Sequence, residues 1–256
     1  MRYFGCALTD VGIKKQTNQD SLCLKIAKTS DNQQAVLAVV CDGMGGLEKG
    51  ELASATVIRT LSNWFENDFE KCIPSFEHDS LVSEWENMLY SLNQKILSYG
   101  KKTGVNLGTT LTALLIFEKK YMTIHVGDSR IYEITDIMNQ ITEDQTFIAR
   151  EIQLGHMTIE EAKNDSRKNM LLQCVGASRI VTPDISFGYV KPNATYMLCS
   201  DGFRHVISDE EMYDAFNPAI LNNTSIMKKN ANNLIEIIKS RNEKDNISVI
   251  LLKTEE

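Results

Sequence analysis

Several things that would narrow this chain's role at once are scarce or missing. With four prolines in 256 residues, no internal repeat and no low-complexity tract, it is neither a solenoid nor a linker-rich array. Its six cysteines, Cys6, Cys23, Cys41, Cys72, Cys174 and Cys199, show neither CxxC spacing nor the density of a disulfide scaffold. They read as free thiols in a reducing cytoplasm. No apolar run approaches the length of a bilayer span, and Arg2 to Thr9 reads as a strand rather than a secretory signal, so no membrane association is expected. Basic residues are outnumbered, 27 against 34 acidic, for a net charge of −7. Without a basic stripe, a nucleic-acid surface is excluded. The four histidines, His78, His125, His156 and His205, form no HxH or HExxH pattern, and His125 reads as a packed or hydrogen-bonded strand residue.

What is present is a hydrophobic fraction of 43%, ample for a substantial core. No shift of composition divides the chain, so residues 1–256 read as one compact domain. Strand-length apolar and β-branched runs fall at 2–9, 21–28, 34–41, 110–117, 120–127, 129–134, 184–190, 195–200 and 247–253. Helical spacing carries Leu52, Ala53, Val57, Ile58, Leu61, Trp64 and Phe65 within 50–66. It recurs in Leu81, Trp85, Met88, Leu89, Leu92 and Ile96 within 81–97, before Gly100. Thr158 with Glu161, and Ser208 with Glu211, have capping-box spacing and predict helix starts at 159 and 209. A last helix is expected over 225–240. The polar stretches 67–80 and 217–233 read as loops or approaches to helices. Short strand connections suggest antiparallel sheets with helices packed on them, an α+β class.

Four of the strand runs deliver an aspartate at one end. AVLAVVCDGMGG reaches Asp42, YMTIHVGDSR reaches Asp128, TYMLCSDGF reaches Asp201, and in KDNISVILL the apolar run begins after Asp245. A fifth polar cluster, Asn18-Gln19-Asp20, precedes another strand. Asp-Gly after an apolar run is first of all a turn signal. Several carboxylates at buried strand ends would repel one another unless divalent cations lay among them, and Asp in place of Cys or His selects a hard cation, Mn²⁺ or Mg²⁺. Gly43, Gly45 and Gly46 would let main chain approach a ligand and place a carbonyl on the metal.

In order, Thr9-Asp10-Val11-Gly12, Asn18-Gln19-Asp20, Asp42-Gly43-Met44-Gly45-Gly46, Gly108-Thr109-Thr110, Gly127-Asp128-Ser129-Arg130, Ser200-Asp201-Gly202 and Asp245-Asn246-Ile247-Ser248 span nearly the whole chain. On these residues the chain resembles the metal-dependent type 2C Ser/Thr protein phosphatases in their compact bacterial form. The resemblance implies a four-layer αββα sandwich of two antiparallel sheets flanked by helices, with the metal site at one end between the sheets. It implies hydrolysis of phosphoserine and phosphothreonine by a metal-activated water without a covalent phospho-enzyme, as is consistent with the absence of a Cys-x5-Arg loop. By the same resemblance Asp42 bridges two core ions, Asp201 and Asp245 hold the first, the Gly43 carbonyl helps hold the second, and Asp128 with Asp201 forms a weaker third site. Asp20 would orient a metal-bound water from behind the ligands. Phosphoprotein substrates, an opposing Ser/Thr protein kinase, a monomeric state and a cytoplasmic location are expected.

Two departures stand out. Lys15, beside Lys14, occupies the place of the family's phosphate-binding arginine, and can supply its charge but not its bidentate fork. Met44 stands where eukaryotic members often have a histidine proposed as proton donor. Residues 143–178 resemble the bacterial flap beside the active site, whose Thr146, Arg150 and Arg167 could meet a phosphoprotein. Two other readings stay open at this point: a silent relative that binds phosphoproteins, which the retained aspartates oppose, and the same chemistry on small phosphoesters or another phosphorylated residue.

Overall fold

A computed structural model describes residues 1–44, 49–73 and 79–256; Gly45, Gly46 and His78 lie outside them. Two five-stranded antiparallel sheets are stacked face to face. One has the order β1 (Arg2–Asp10), β10 (Ile247–Glu255), β9 (Thr195–Cys199), β6 (Arg130–Ile134), β7 (Met138–Gln140). The other runs β2 (Ser21–Lys28), β3 (Gln34–Cys41), β4 (Leu111–Phe117), β5 (Lys120–Val126), β8 (Asp184–Tyr189).

Alternation along the central strands sorts their side chains into two layers. In β3, Val36, Ala38 and Val40 face the other sheet, where they meet Tyr196, Leu198, Ile250 and Leu252. Leu37, Val39 and Cys41 face outward and are covered by α1 (Gly50–Asn67) and α3 (Asp79–Thr103) through Val57, Leu61, Trp64, Leu81 and Trp85. Trp64 and Trp85 meet edge to face with centroids 5.1 Å apart, an arrangement aromatic quadrupoles favour. On the opposite face, α7 (Asp209–Phe216) and α8 (Thr224–Ser240) bury Met212, Phe216, Met227, Ala231, Leu234 and Ile238 on the β1–β10–β9 side. The result is the four-layer αββα arrangement.

Both expected capping boxes form: Thr158 opens α5 (Ile159–Asn164) and Ser208 opens α7, each with its Glu side chain returning to the cap. The helix expected over 81–97 is longer than its apolar stripe. It passes Gly100 and ends at Thr103, where Gly104 adopts φ +73° and donates to the Gly100 carbonyl at 2.9 Å. Polar 217–233 holds the first turns of α8, because Asn223 caps it by accepting from Ile226 N at 3.0 Å and its polar residues face water. Three short helices, α2 (Phe69–Cys72), α4 (Phe147–Gln153) and α6 (Asp201–Arg204), together with β7, span too few residues to show a period. Cys6, Cys23, Cys41, Cys174 and Cys199 are buried free thiols, and Cys72 is buried with its thiol donating to Glu84 Oε2 at 2.9 Å. No helix among the described residues is long and apolar enough to cross a membrane.

Leu114, fully buried on β4 and facing the other sheet, should be costly to truncate. Leu114→Ala is expected to lower stability by about 2–5 kcal/mol, seen as a lower urea midpoint at unchanged slope. Ser208→Ala should cost only about 1 kcal/mol.

Candidate metal centre

Strand register brings the five aspartates to one end of the sandwich. Asp42 follows β3 and Asp128 follows β5, while Asp20 directly precedes β2; in the pairing, Ser21 opposes Cys41 and Leu111 opposes Val126. In the other sheet Cys199 opposes Val249, so Asp201 and Asp245 lie at the matching end of β9 and β10. Cross-sheet hydrogen bonds close the gap: Ser200 Oγ donates to Asp20 Oδ2 at 3.0 Å, and Gln19 N donates to Asn246 Oδ1 at 2.9 Å.

The backbone around Asp42 is held from several sides. Its N–H donates to Thr110 Oγ1 and its carbonyl accepts from Thr110 N and Thr109 Oγ1, all at 2.9 Å. Gly43 donates to the Gln19 carbonyl at 3.1 Å. A Cβ at Gly43 would collide with the backbone of Gln19 and Gly50, so glycine is required by close approach there. Asn246 ties the 11–20 loop to β10 by donating to the carbonyls of Val11 at 2.9 Å and Thr17 at 3.3 Å.

The electrostatics match carboxylates crowded together. Burial first, then the fields of Asp20, Asp201, Asp128 and Asp245, push the Asp42 carboxyl well above its ordinary range. Asp20 rises to about 7 through burial, with Asp201 and Asp245 adding and hydrogen bonds from Ser248 and Ser200 opposing. Asp128 also rises to about 7, from burial and Asp201, against the pull of Arg204. Asp20 Oδ1 and Asp201 Oδ1 are buried without a hydrogen-bond partner. Such orphaned anionic oxygens are costly unless something positive meets them. Among the described residues no group of three or more His, Cys, Asp or Glu side chains is placed to hold an ion by itself. The two orphaned oxygens and the all-carboxylate donor set suit a hard divalent cation.

Lys15 stands at the site: its Nζ is 2.8 Å from Asp245 Oδ1. Burial works against its charge, but the bond to Asp245 and the fields of Asp42 and Asp201 outweigh it and raise its pKa. His205, passed over in the sequence for want of a metal-binding pattern, is also here. Its Nε2 is 3.3 Å from Asp201 Oδ2 and its Nδ1 3.5 Å from Glu243 Oε2. The available signal was its position four residues after Asp201, one helical turn on. Glu243 in turn accepts from the N–H groups of Lys244 and Asp245 at 2.6 and 3.0 Å. His125 is buried, with Nδ1 on Thr112 Oγ1 at 2.9 Å. Thr146 is not free to meet a partner, as expected of it, because it is buried and caps α4 by accepting from Ala149 N at 3.1 Å. Arg167 lies over the Phe147 ring at 4.2 Å and pairs with Asp165, Arg150 lies over the same ring at 5.7 Å and pairs with Glu151, and both are exposed.

Comparison with known proteins identifies the family and the fold. The family model for protein phosphatase 2C matches residues 13–236. A serine/threonine phosphatase of Listeria innocua is 30% identical over 250 residues, covering 96% of this chain and 93% of that one. The structure of the Staphylococcus aureus serine/threonine phosphatase Stp1 superposes with a TM-score of 0.82 at 27% identity, over 100% of this chain and 96% of that one. The catalytic domain of the phosphatase PstP, solved with two manganese ions, matches at TM-score 0.79 and 26% identity over 99% of each chain. The chain belongs to the protein phosphatase 2C family.

A pH dependence follows from the raised carboxyls. Asp20 and Asp128 hold their protons more tightly folded than unfolded, so their contribution to stability is fully present below the unfolded value near 3.8 and is lost as pH rises through about 7. The urea midpoint of the protein in EDTA should therefore fall from pH 5 to pH 7.5. Added Mn²⁺ should restore it most at the upper end, where cations no longer compete with protons. A midpoint independent of pH and Mn²⁺ would contradict the assignment.

Proposed function

We infer that Asp42, Asp201 and Asp245, with the Gly43 carbonyl, hold the two Mn²⁺ or Mg²⁺ ions of a serine/threonine phosphoprotein phosphatase. Asp128 with Asp201 would serve a weaker third ion. The observation that carries this reading is the meeting of five aspartates from both sheets at one end of the sandwich, with two of their buried oxygens unpartnered. When bound, the cations supply an activated water and offset charge on the phosphoryl group.

The remaining chemistry falls to residues of the chain. Asp20, which accepts a hydrogen bond from Ser200 Oγ, would accept another from the attacking water. Lys15, with its ammonium kept charged beside Asp245, supplies a point charge for the substrate phosphate. The 143–178 segment is pinned at its base where Phe147 N donates to the Met170 carbonyl and Leu172 N to the Gln145 carbonyl, both at 2.8 Å. A cleft of about 710 Å³ runs beside it, lined in part by Arg130, Asp144, Arg150, Leu172 and Asp184. This supports a flap that meets the protein substrate, in a single catalytic domain of residues 1–256. A cytoplasmic location fits the buried free thiols of Cys6, Cys23, Cys41, Cys174 and Cys199, and a monomeric enzyme opposing a Ser/Thr kinase completes the reading.

Asp42→Asn and Asp201→Asn are expected to reduce phosphopeptide hydrolysis to the background seen with excess EDTA while leaving the circular dichroism spectrum in place. Full turnover by either variant would refute the assignment. Lys15→Ala should raise KM more than it lowers kcat, by an amount on the order of 1.5–3 kcal/mol for a charged hydrogen bond, and Lys15→Arg should lower KM. Equal KM values in all three proteins would remove Lys15 from phosphate binding.

A further inference from the structure

Arg204 ends the short helix that Asp201 begins, and its guanidinium turns back toward the other sheet's aspartate. Its Nη2 donates to the Asp128 carbonyl at 2.9 Å and lies 3.4 Å from Asp144 Oδ2. Asp144 is meanwhile gripped by Arg130 through two 2.7 Å bonds, Nε to Oδ1 and Nη2 to Oδ2, and Arg130 Nη1 donates to the Tyr132 hydroxyl at 2.9 Å. These three charged side chains are largely withdrawn from water: Arg204 is 13% exposed, Asp144 14% and Arg130 24%.

A plain buried ion pair does not account for Arg204. Arg130 already satisfies both oxygens of Asp144, so a second arginine is not needed to neutralise it. The shorter of Arg204's two bonds goes to the Asp128 carbonyl, and its own Nε is buried with no partner. A buried donor left unsatisfied is destabilising, so the residue is retained at a cost. What the placement achieves is a fixed link between three pieces: the helix that opens with Asp201, the Gly127–Asp128–Ser129 turn, and Asp144 at the base of the 143–178 segment. Gly127 has φ +113° and is bonded on both sides by Gln145, through Gly127 N to Gln145 Oε1 at 3.0 Å and Gln145 N to the Gly127 carbonyl at 2.8 Å. Arg204 thus holds the carbonyl of Asp128 itself, while Gln145 holds that of Gly127.

We propose that Arg204 is a positioning residue that sets the Asp128 turn for a weak third divalent cation and couples that turn, through Asp144, to the base of the flap. It rests on the reading of Asp128 as a third-site ligand. Calorimetric titration of the cation-stripped full chain with Mn²⁺ tests it, comparing wild type, Arg204→Met, Arg204→Lys and Asp128→Ala. Arg204→Met should keep two tight binding steps and weaken the third by about 10-fold, the size usual for residues behind a metal ligand. Arg204→Lys, which can reach the carbonyl or Asp144 but not both, should fall between, and Asp128→Ala should lose the third step. A wild-type third step in Arg204→Met, with that step lost in Asp128→Ala, overturns the proposal and leaves the Asp128 assignment standing. No third step in wild type, or one that survives in Asp128→Ala, overturns both. Loss of the tight steps in Arg204→Met shows a general structural role and also overturns it. Should Arg204→Met fail to fold, Arg204→Lys decides: a third step as tight as wild type overturns the proposal.

Discussion

Repulsion among buried carboxylates at the junction of two sheets is the constraint around which the rest of this protein is arranged. Two antiparallel sheets stacked on an apolar layer would fold without any aspartate at their ends. Placing Asp42 and Asp128 on one sheet's end and Asp201 and Asp245 on the other's, with Asp20 between, raises the free energy of the cation-free state, as the elevated carboxyls record. Fully buried strands on either side, such as β4 and β9, supply the apolar burial that tolerates this strain. The site is thereby poised for a hard cation, since binding removes repulsion that the fold already sustains.

Much of this was legible in the sequence because the signals were local. Strand runs ending in aspartate mark the candidate site, the stripe from Leu52 to Phe65 marks the helix that covers the outer face of β3, with Leu52 itself exposed, and the Thr158–Glu161 and Ser208–Glu211 boxes mark two helix starts. Site elements that depended on tertiary contact were not legible. The sheet order could not be read from alternation alone, since alternation assigns a face and not a neighbour. Thr146 looked available because its cap lies in a helix too short to show a period. Nothing in the sequence singles out Arg204 or Glu243, whose side chains meet Asp128 and His205 from distant segments, and His205 was passed over although Asp201 lies one helical turn before it. Only folding brings Arg204 to Asp128, 76 positions away, and His205 to Glu243.

The basic groups around the site form a pattern of their own. Lys15 engages Asp245, His205 faces Asp201, and Arg204 holds the carbonyl of Asp128. Each of these aspartates has a different nitrogen group of the protein beside it, and each such group comes from another loop or from the same short helix. Offsetting acidic charge in this way lets the carboxylates stay crowded when protons are absent. The same groups also set a limit on cation affinity, because a nitrogen donor on an oxygen occupies a lone pair that a cation would otherwise use.

That limit differs among the three positions. Lys15 sits directly on an oxygen of Asp245 at 2.8 Å, so cation binding there must loosen the pair or share the carboxylate. His205 touches one oxygen of Asp201 and leaves the other, which is buried and unpartnered, free to face an ion. Arg204 binds main chain and leaves both side-chain oxygens of Asp128 unused by its bond. Freeing Lys15 from Asp245 as cations enter would release its ammonium to a substrate phosphate, so the salt bridge and the phosphate contact are alternative uses of one charge. A point charge on a flexible stem can make that exchange, whereas the Arg204 guanidinium is already held by the Asp128 carbonyl and Asp144 and stays where it is.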